Sequence, residues 1–311
     1  MGGLVGIFHL TALFNDMKKI ILLLLILSTF FLYSCTVNSV KEINYITDYY
    51  AKKSVSDFLD VTAICYSGDD IARHNFDEFL SDDFDIQNYA KLSQRIIGLK
   101  MLENRGYDIS GFNVDSLASS LLELTVKDDN EGYIIPPLQR IYGIYALKLS
   151  DADYPEESIE KFAHSLLEYQ NEDGGFSVDS AEQSDVETTS AIIPIFCYFK
   201  QNKLISGAIH RATNYLKNSK NKNDTYSFHG VPSCISTANA LSSFMALGFD
   251  EKSENIGDIT LALATFRLAD GSYSNIQYSS SDFRSCAVSL IAYRDFENKS
   301  SLWLSVLENK I

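Results

Sequence analysis

Apolar residues recur at steps of three and four along most of the chain, the spacing of helices that bury a wide face. Leu138, Ile141, Ile144, Tyr145 and Leu147 mark one such face, and Ile235, Ala238, Ala240, Leu241, Met245 and Leu247 another. Tyr89, Leu92, Ile96, Ile97 and Leu99 mark a third, and two more apolar runs follow Ser184-Asp185 and Ser281-Asp282. Small residues early in three of these runs (Ser190-Ala191, Ala238 with Ala240, Ala287) allow close helix approach. A second set of helices lies between them, at 114–124, 155–170, 205–216 and 256–266. Pro155-Glu156-Glu157 opens one of these well, with proline in the first turn and acids at the positive helix end. Helices at 43–64, 71–80 and 302–307 bring the total to about twelve. No stretch alternates convincingly as a strand. The pattern predicts an all-α fold and one domain over residues 43–311, with no composition shift that would divide it.

A turn between two of these helices recurs. Gln170-Asn171-Glu172-Asp173-Gly174-Gly175-Phe176-Ser177 returns 97 positions later as Arg267-Leu268-Ala269-Asp270-Gly271-Ser272-Tyr273-Ser274. The same distance separates each copy from the Ser-Asp pairs at Ser184-Asp185 and Ser281-Asp282. A fixed period signals one supersecondary unit used repeatedly. This offset suits two helical hairpins, so a copy is expected halfway, and Tyr226-Ser227-Phe228 before Pro232-Ser233 fills that place. Glu131-Gly132-Tyr133 and Asp83-Phe84-Asp85 continue the register upstream.

Leu166-x3-Gln170-x3-Gly174-x-Phe176 resembles the repeat motif of the terpenoid cyclase and protein prenyltransferase superfamily. There, leucine, glutamine, glycine and an aromatic join the outer and inner helices of an α/α toroid. Leu263-x3-Arg267-x3-Gly271-x-Tyr273 is a partial match. The resemblance implies a toroid of about six hairpins, with inner and outer helix rings. Physically, Gln170, Asp173, Gly174, Gly175 and Phe176, with Asp270, Gly271 and Tyr273, are expected to build turns. Glycine permits positive φ, the glutamine amide meets orphan helix carbonyls, and the aromatic plugs the gap between hairpins. Asp185 and Asp282 read as N-caps, with acid in the first helical turn. The sharper reading places Asp185, Glu187 and Asp282 at the mouth of a central cavity, where their carboxylates meet a ligand.

The first part of the chain reads differently. Met17-Lys18-Lys19 precedes an apolar stretch over 20–33, too short for a comfortable membrane span, that ends at Leu32-Tyr33-Ser34-Cys35. This resembles a bacterial lipoprotein signal, with Met17 the expected start. Residues 1–34 would be removed, Cys35 lipidated, and 35–42 left as a short tether. Tyr33 is bulkier than that pattern usually carries, and an ordinary secretory signal is the alternative. The resemblance implies an exported protein held by lipid at the outer face of the bacterial membrane. With 41 acidic against 26 basic residues, the chain lacks the basic footprint of a nucleic-acid binder.

Catalytic signatures are sparse. The acid-rich stretches Asp69-Asp70, Asp82-Asp83-Phe84-Asp85 and Asp128-Asp129 lack the Asp-x-Asp-Asp spacing of protonating cyclases. The prenyltransferase zinc set needs Asp-x-Cys, which does not occur; His229, Cys234, Asp282 and Cys286 come nearest, so no metal or cofactor is expected. Cys234 and Cys286 read as separate buried thiols, with a disulfide between them the alternative; Cys65 and Cys197 complete the exported set. Tyr142, Tyr145, Phe196, Tyr198 and Phe244 suit either a cavity wall or plain core. Two functions remain. One is a lipid-anchored, non-catalytic protein binding a ligand or partner. The other is a diverged enzyme on the same scaffold, either cyclase-like or acting on carbohydrate. A sugar enzyme needs two carboxylates facing across the cavity, and Asp185 with Asp282 is the pair to test.

Overall fold

The computed structural model describes residues 38–311 apart from 82, 133, 179–182 and 251–252. The expected signal region 1–34 and Cys35 lie outside these described residues. Within them the chain folds as thirteen α-helices and one two-stranded sheet. The helices are α1 (Ser39–Tyr50), α2 (Phe58–Ser67), α3 (Asp77–Ser81), α4 (Tyr89–Asn104), α5 (Val114–Glu131), α6 (Pro137–Leu149) and α7 (Glu156–Ser165). They continue with α8 (Val186–Tyr198), α9 (Lys203–Asn218), α10 (Cys234–Ala246), α11 (Ile256–Ala264), α12 (Phe283–Asn298) and α13 (Leu302–Leu307). No helix among the described residues is long and apolar enough to cross a membrane.

Four local features depart from the periodicity, the first being the helix expected over 71–80, which is a 3-10 turn at Ile71–Arg73 followed by the separate α3 at Asp77–Ser81. The single helix expected over 43–64 is two helices. Asp57 N-caps α2 by accepting from Leu59 N at 2.8 Å, and the Val55 amide pairs with Asn75 O at 3.0 Å. Helix α1 begins at Ser39, so residues 39–42, expected as tether, form its first turn under an Asn38 cap. A hairpin of β1 (Tyr226–Phe228) and β2 (Val231–Ser233) stands where no strand was expected. Its turn residues His229 and Gly230 both have positive φ, +47° and +80°, as a type I′ turn requires.

The helices divide by burial. In α8, α10 and α12 most positions are buried, whereas α9 buries only Ile205, Ala208, Ala212 and Leu216, a single stripe. A helix buried nearly all round must have neighbours on every side, and a striped helix covers others. The contacts follow suit: α2 packs on α4, α4 on α6, α6 on α8, α8 on α10, α10 on α12, and α12 back on α2. Outside this series, α1 packs on α12 and α2, α5 on α4 and α6, α9 on α8, and α11 on α10. The short α13 touches α6, α8 and α10.

One buried carboxyl makes this packing sensitive to pH. Asp60 in α2 is 3% exposed and accepts from Tyr50 Oη of α1 at 2.5 Å. Burial pushes it up to about 7, against the Tyr50 hydrogen bond, with Asp57 and Asp282 adding to the rise. In the unfolded chain such a carboxyl ionises near pH 4, while the folded one keeps its proton to about 7. The folded state therefore loses stability through this group as pH rises across that window. Asp60→Asn keeps the acceptor for Tyr50 without the charge. Urea midpoints should diverge in the variant's favour between pH 4.5 and 7.5. A pH-independent difference would refute this account.

Candidate functional site

The recurring turns come first, because they fix the ends of the helices that carry the site. At Gly174, with φ +90°, the chain reverses: Gly174 N donates to Asn171 O at 3.0 Å and Asn171 N to Gly175 O at 2.9 Å. Asp173 Oδ1 accepts from Gly175 N at 2.9 Å and Ser184 Oγ at 2.7 Å. Gln170 does not meet the last carbonyls of its own helix. Its Nε2 donates to Gly174 O and to Ala208 O of α9, both at 2.9 Å, so it ties one hairpin to the next. Phe176 is fully buried against Phe196, and its amide donates to Thr189 Oγ1 at 2.9 Å.

The later copy repeats the geometry with other side chains. Gly271 has φ +89°, Asp270 Oδ1 accepts from Ser272 N at 3.1 Å, and buried Tyr273 donates its amide to Cys286 Sγ at 3.2 Å. Hydrogen bonding from Ser272 holds the Asp270 carboxyl below its ordinary value. Arg267 replaces the glutamine and reaches α1, pairing with Glu42 at 2.9 Å. The intermediate copy is complete in backbone terms. Asn221 N donates to Thr225 O at 2.9 Å, Asp224 takes the left-handed position with φ +61°, and Tyr226 N donates to Thr237 Oγ1 at 2.9 Å.

After each turn a side chain caps the next helix. Asp185 accepts from Thr188 N at 2.7 Å, Ser233 from Ser236 N at 3.1 Å, and Asp282 from Ser285 N at 2.9 Å. Below the first of these caps opens a cavity of about 350 Å³, lined from α2, α6, α8, α10, α12, α13 and the hairpin. Asp185 and Glu187 line it, whereas Asp282 is not among its lining residues, so the pair Asp185 and Asp282 does not face across it. Glu187 Oε1 accepts from Ser236 Oγ at 3.1 Å, and Oε2 lies 3.8 Å from Arg284. Burial raises the Glu187 carboxyl above its ordinary value; Arg284 and Ser236 pull it down, Asp185 pushes it up, and His229 pulls it down.

Tyr142 and Trp303 form an aromatic wall of the cavity, their centroids 5.7 Å apart and planes at 83°, with Tyr145 stacked behind Trp303 at 4.7 Å. Of the other aromatics singled out above, Phe196 and Phe244 are core, and Tyr198 packs against Phe199. Arg284, Asn239, Ser301 and Trp303 are lining residues that sequence reasoning did not select, and His229 and Ser190, noted there for a zinc comparison and for close helix approach, line it as well. The cysteines Cys65, Cys197, Cys234 and Cys286 are free and buried, and burial pushes Cys286 up to about 12. Among the described residues no group of three or more His, Cys, Asp or Glu gathers as a metal site would. The fold and cavity define a mostly helical protein with a partly enclosed cavity between its helices. Compared with known proteins, the chain matches no family model and no curated sequence.

Proposed function

We propose that the chain is an α/α toroid that binds a small molecule in its central cavity, without catalysis of its own, and that lipid on Cys35 holds it at the outer face of the bacterial membrane. The observation that carries the binding role is the cavity of about 350 Å³ between the helices, with a charge pair at its mouth and aromatic walls inside. That volume lies at the small end of ligand sites. Support for the toroid comes from the order of contacts, α2, α4, α6, α8, α10, α12 and back to α2. The clasps support it too: Gln170 reaches α9, the outer partner of α8, and Arg267 reaches α1. On this reading, α1 stands to the last turn as α9 stands to the first. The raised carboxyl of Glu187 favours a second reading as a general acid. A sugar-cleaving pair would need a second carboxylate facing it, and Asp185 sits on the same helix end.

Native mass spectrometry of protein purified from its own membranes tests the binding role. A small non-covalent adduct is expected, and Ala191→Trp, which fills the cavity from α8, should abolish it while the far-UV circular dichroism stays unchanged. An adduct indifferent to Ala191→Trp overturns the cavity assignment. In the same preparation Cys35→Ser should move the protein to the soluble fraction, and unaltered membrane association would sink the lipid anchor.

A further inference from the structure

The polar groups of the cavity narrow the chemistry of its occupant, an inference that rests on the cavity-binding role. Its charged groups are already engaged. Glu187 faces Arg284 and accepts from Ser236, and Asp185 is committed to the Thr188 amide. An ionic ligand would compete with the Glu187–Arg284 pair, which already sets opposite charges 3.8 Å apart on the lining. Charge therefore favours a neutral molecule.

The polar lining argues against a wholly apolar one. Pro194 lies inside α8 and has no N–H, so the Ser190 carbonyl loses its helical donor; Ser243 Oγ reaches it at 3.4 Å. Ser190 and Ser301 both line the cavity, are 6% and 0% exposed, and have no hydrogen-bond partner at Oγ. Buried hydroxyls are normally paired, and a hydrocarbon occupant would leave these two orphaned. Asn239 adds a further polar group to the lining. The Tyr142–Trp303 surface lines the same cavity, the kind of flat apolar face that packs against the C–H side of a saturated ring.

We infer that the occupant is a neutral polyhydroxylated molecule, one or two sugar rings or a cyclitol in size. Its hydroxyls supply the missing partners of Ser190 and Ser301, and its C–H face lies on Trp303.

Trp303 is the sole tryptophan in the chain, so its emission reports on this wall. The intact protein is titrated with glucose, N-acetylglucosamine, maltose and myo-inositol, and in parallel with farnesol, choline and citrate. A saturable change with at least one of the four polyols is expected. Ser190→Ala and Ser301→Ala should each weaken it about tenfold, the effect of one hydrogen bond. Neither hydroxyl has a partner within the protein, so the urea midpoints should not fall. Weakened binding without lost stability separates ligand contact from a structural role. Silence across all four polyols overturns the inference, as does affinity unchanged by both serine variants. A response to farnesol, choline or citrate alone overturns it too, yet leaves the cavity-binding role standing. The cavity-binding role itself fails if the native adduct is absent or is indifferent to Ala191→Trp.

Discussion

Arg140→Met should destabilise the protein by about 3–5 kcal/mol, the cost of breaking a buried ion pair from one side. Arg140 in α6 is 0% exposed and pairs with both Asp128 and Asp129 at the end of α5. Its Nη2 also donates to Tyr154 Oη at 2.8 Å, and the guanidinium lies 5.1 Å from the centre of the Phe162 ring. Asp128 is 4% exposed and spends its other oxygen on the Ile135 amide at 2.7 Å, which fixes the link from α5 to α6. Methionine fills much of the space but leaves two adjacent carboxylates without a cation. Adding Asp128→Asn and Asp129→Asn to Arg140→Met should restore part of the loss, because the uncompensated charge goes with them. Arg140→Lys should recover little, since a single ammonium cannot serve two carboxylates and Tyr154 together. Urea unfolding at neutral pH decides the matter. A deficit under about 1 kcal/mol for Arg140→Met would place the network among weakly contributing surface pairs.

The helices were legible wherever a stripe or a cap was written into the chain. Leu302–Leu307 is the helix expected there, and α9 shows its stripe at Ile205, Ala208, Ala212 and Leu216. The break between α1 and α2 was not legible, because Tyr49, Tyr50, Val55, Phe58 and Leu59 keep an apolar rhythm across it. Only Lys52-Lys53-Ser54 and the capping Asp57 mark the gap. The intermediate turn was readable by register but not by motif, since Asp224 occupies the left-handed position that glycine fills at 174 and 271. The strands were invisible because three residues are too few to show alternation. For the site, Asp185 and Glu187 stood out as the opening of an apolar helix. Arg284 and Trp303 did not, for a physical reason. Most positions of α8 and α12 are buried, so no stripe distinguishes the cavity side from the sides against neighbouring helices, and Trp303 belongs to a helix too short to show one. The cavity is also assembled from elements as distant as Leu59 and Trp303, and no local pattern records that meeting.

Gly271→Ala should cost about 3 kcal/mol or more and should loosen α1 specifically. Two penalties combine. The first is the left-handed backbone, roughly 1–2 kcal/mol for a residue with a Cβ. The second is steric: a Cβ at Gly271 would lie 2.6 Å from the Tyr45 carbonyl oxygen, a backbone atom of α1 that cannot rotate aside. Gly106→Ala isolates the first penalty, because Gly106 has φ +76° and nothing within 4 Å of the added carbon. The difference between the two variants measures how tightly the last turn holds the first described helix. Where the strain goes is equally diagnostic. Arg267 and Tyr273 both bind Glu42 of α1, at 2.9 Å and 2.8 Å, so displacing α1 breaks these contacts as well. Amide hydrogen exchange should rise along Ser39–Tyr50 in Gly271→Ala while α9 keeps its protection. Gly174→Ala, whose Cβ would meet Arg211 O at 2.6 Å, should do the converse and loosen α9. Equal costs for Gly271→Ala and Gly106→Ala, or exchange that rises uniformly over all helices, would remove the ground for a specific hold of the last turn on α1.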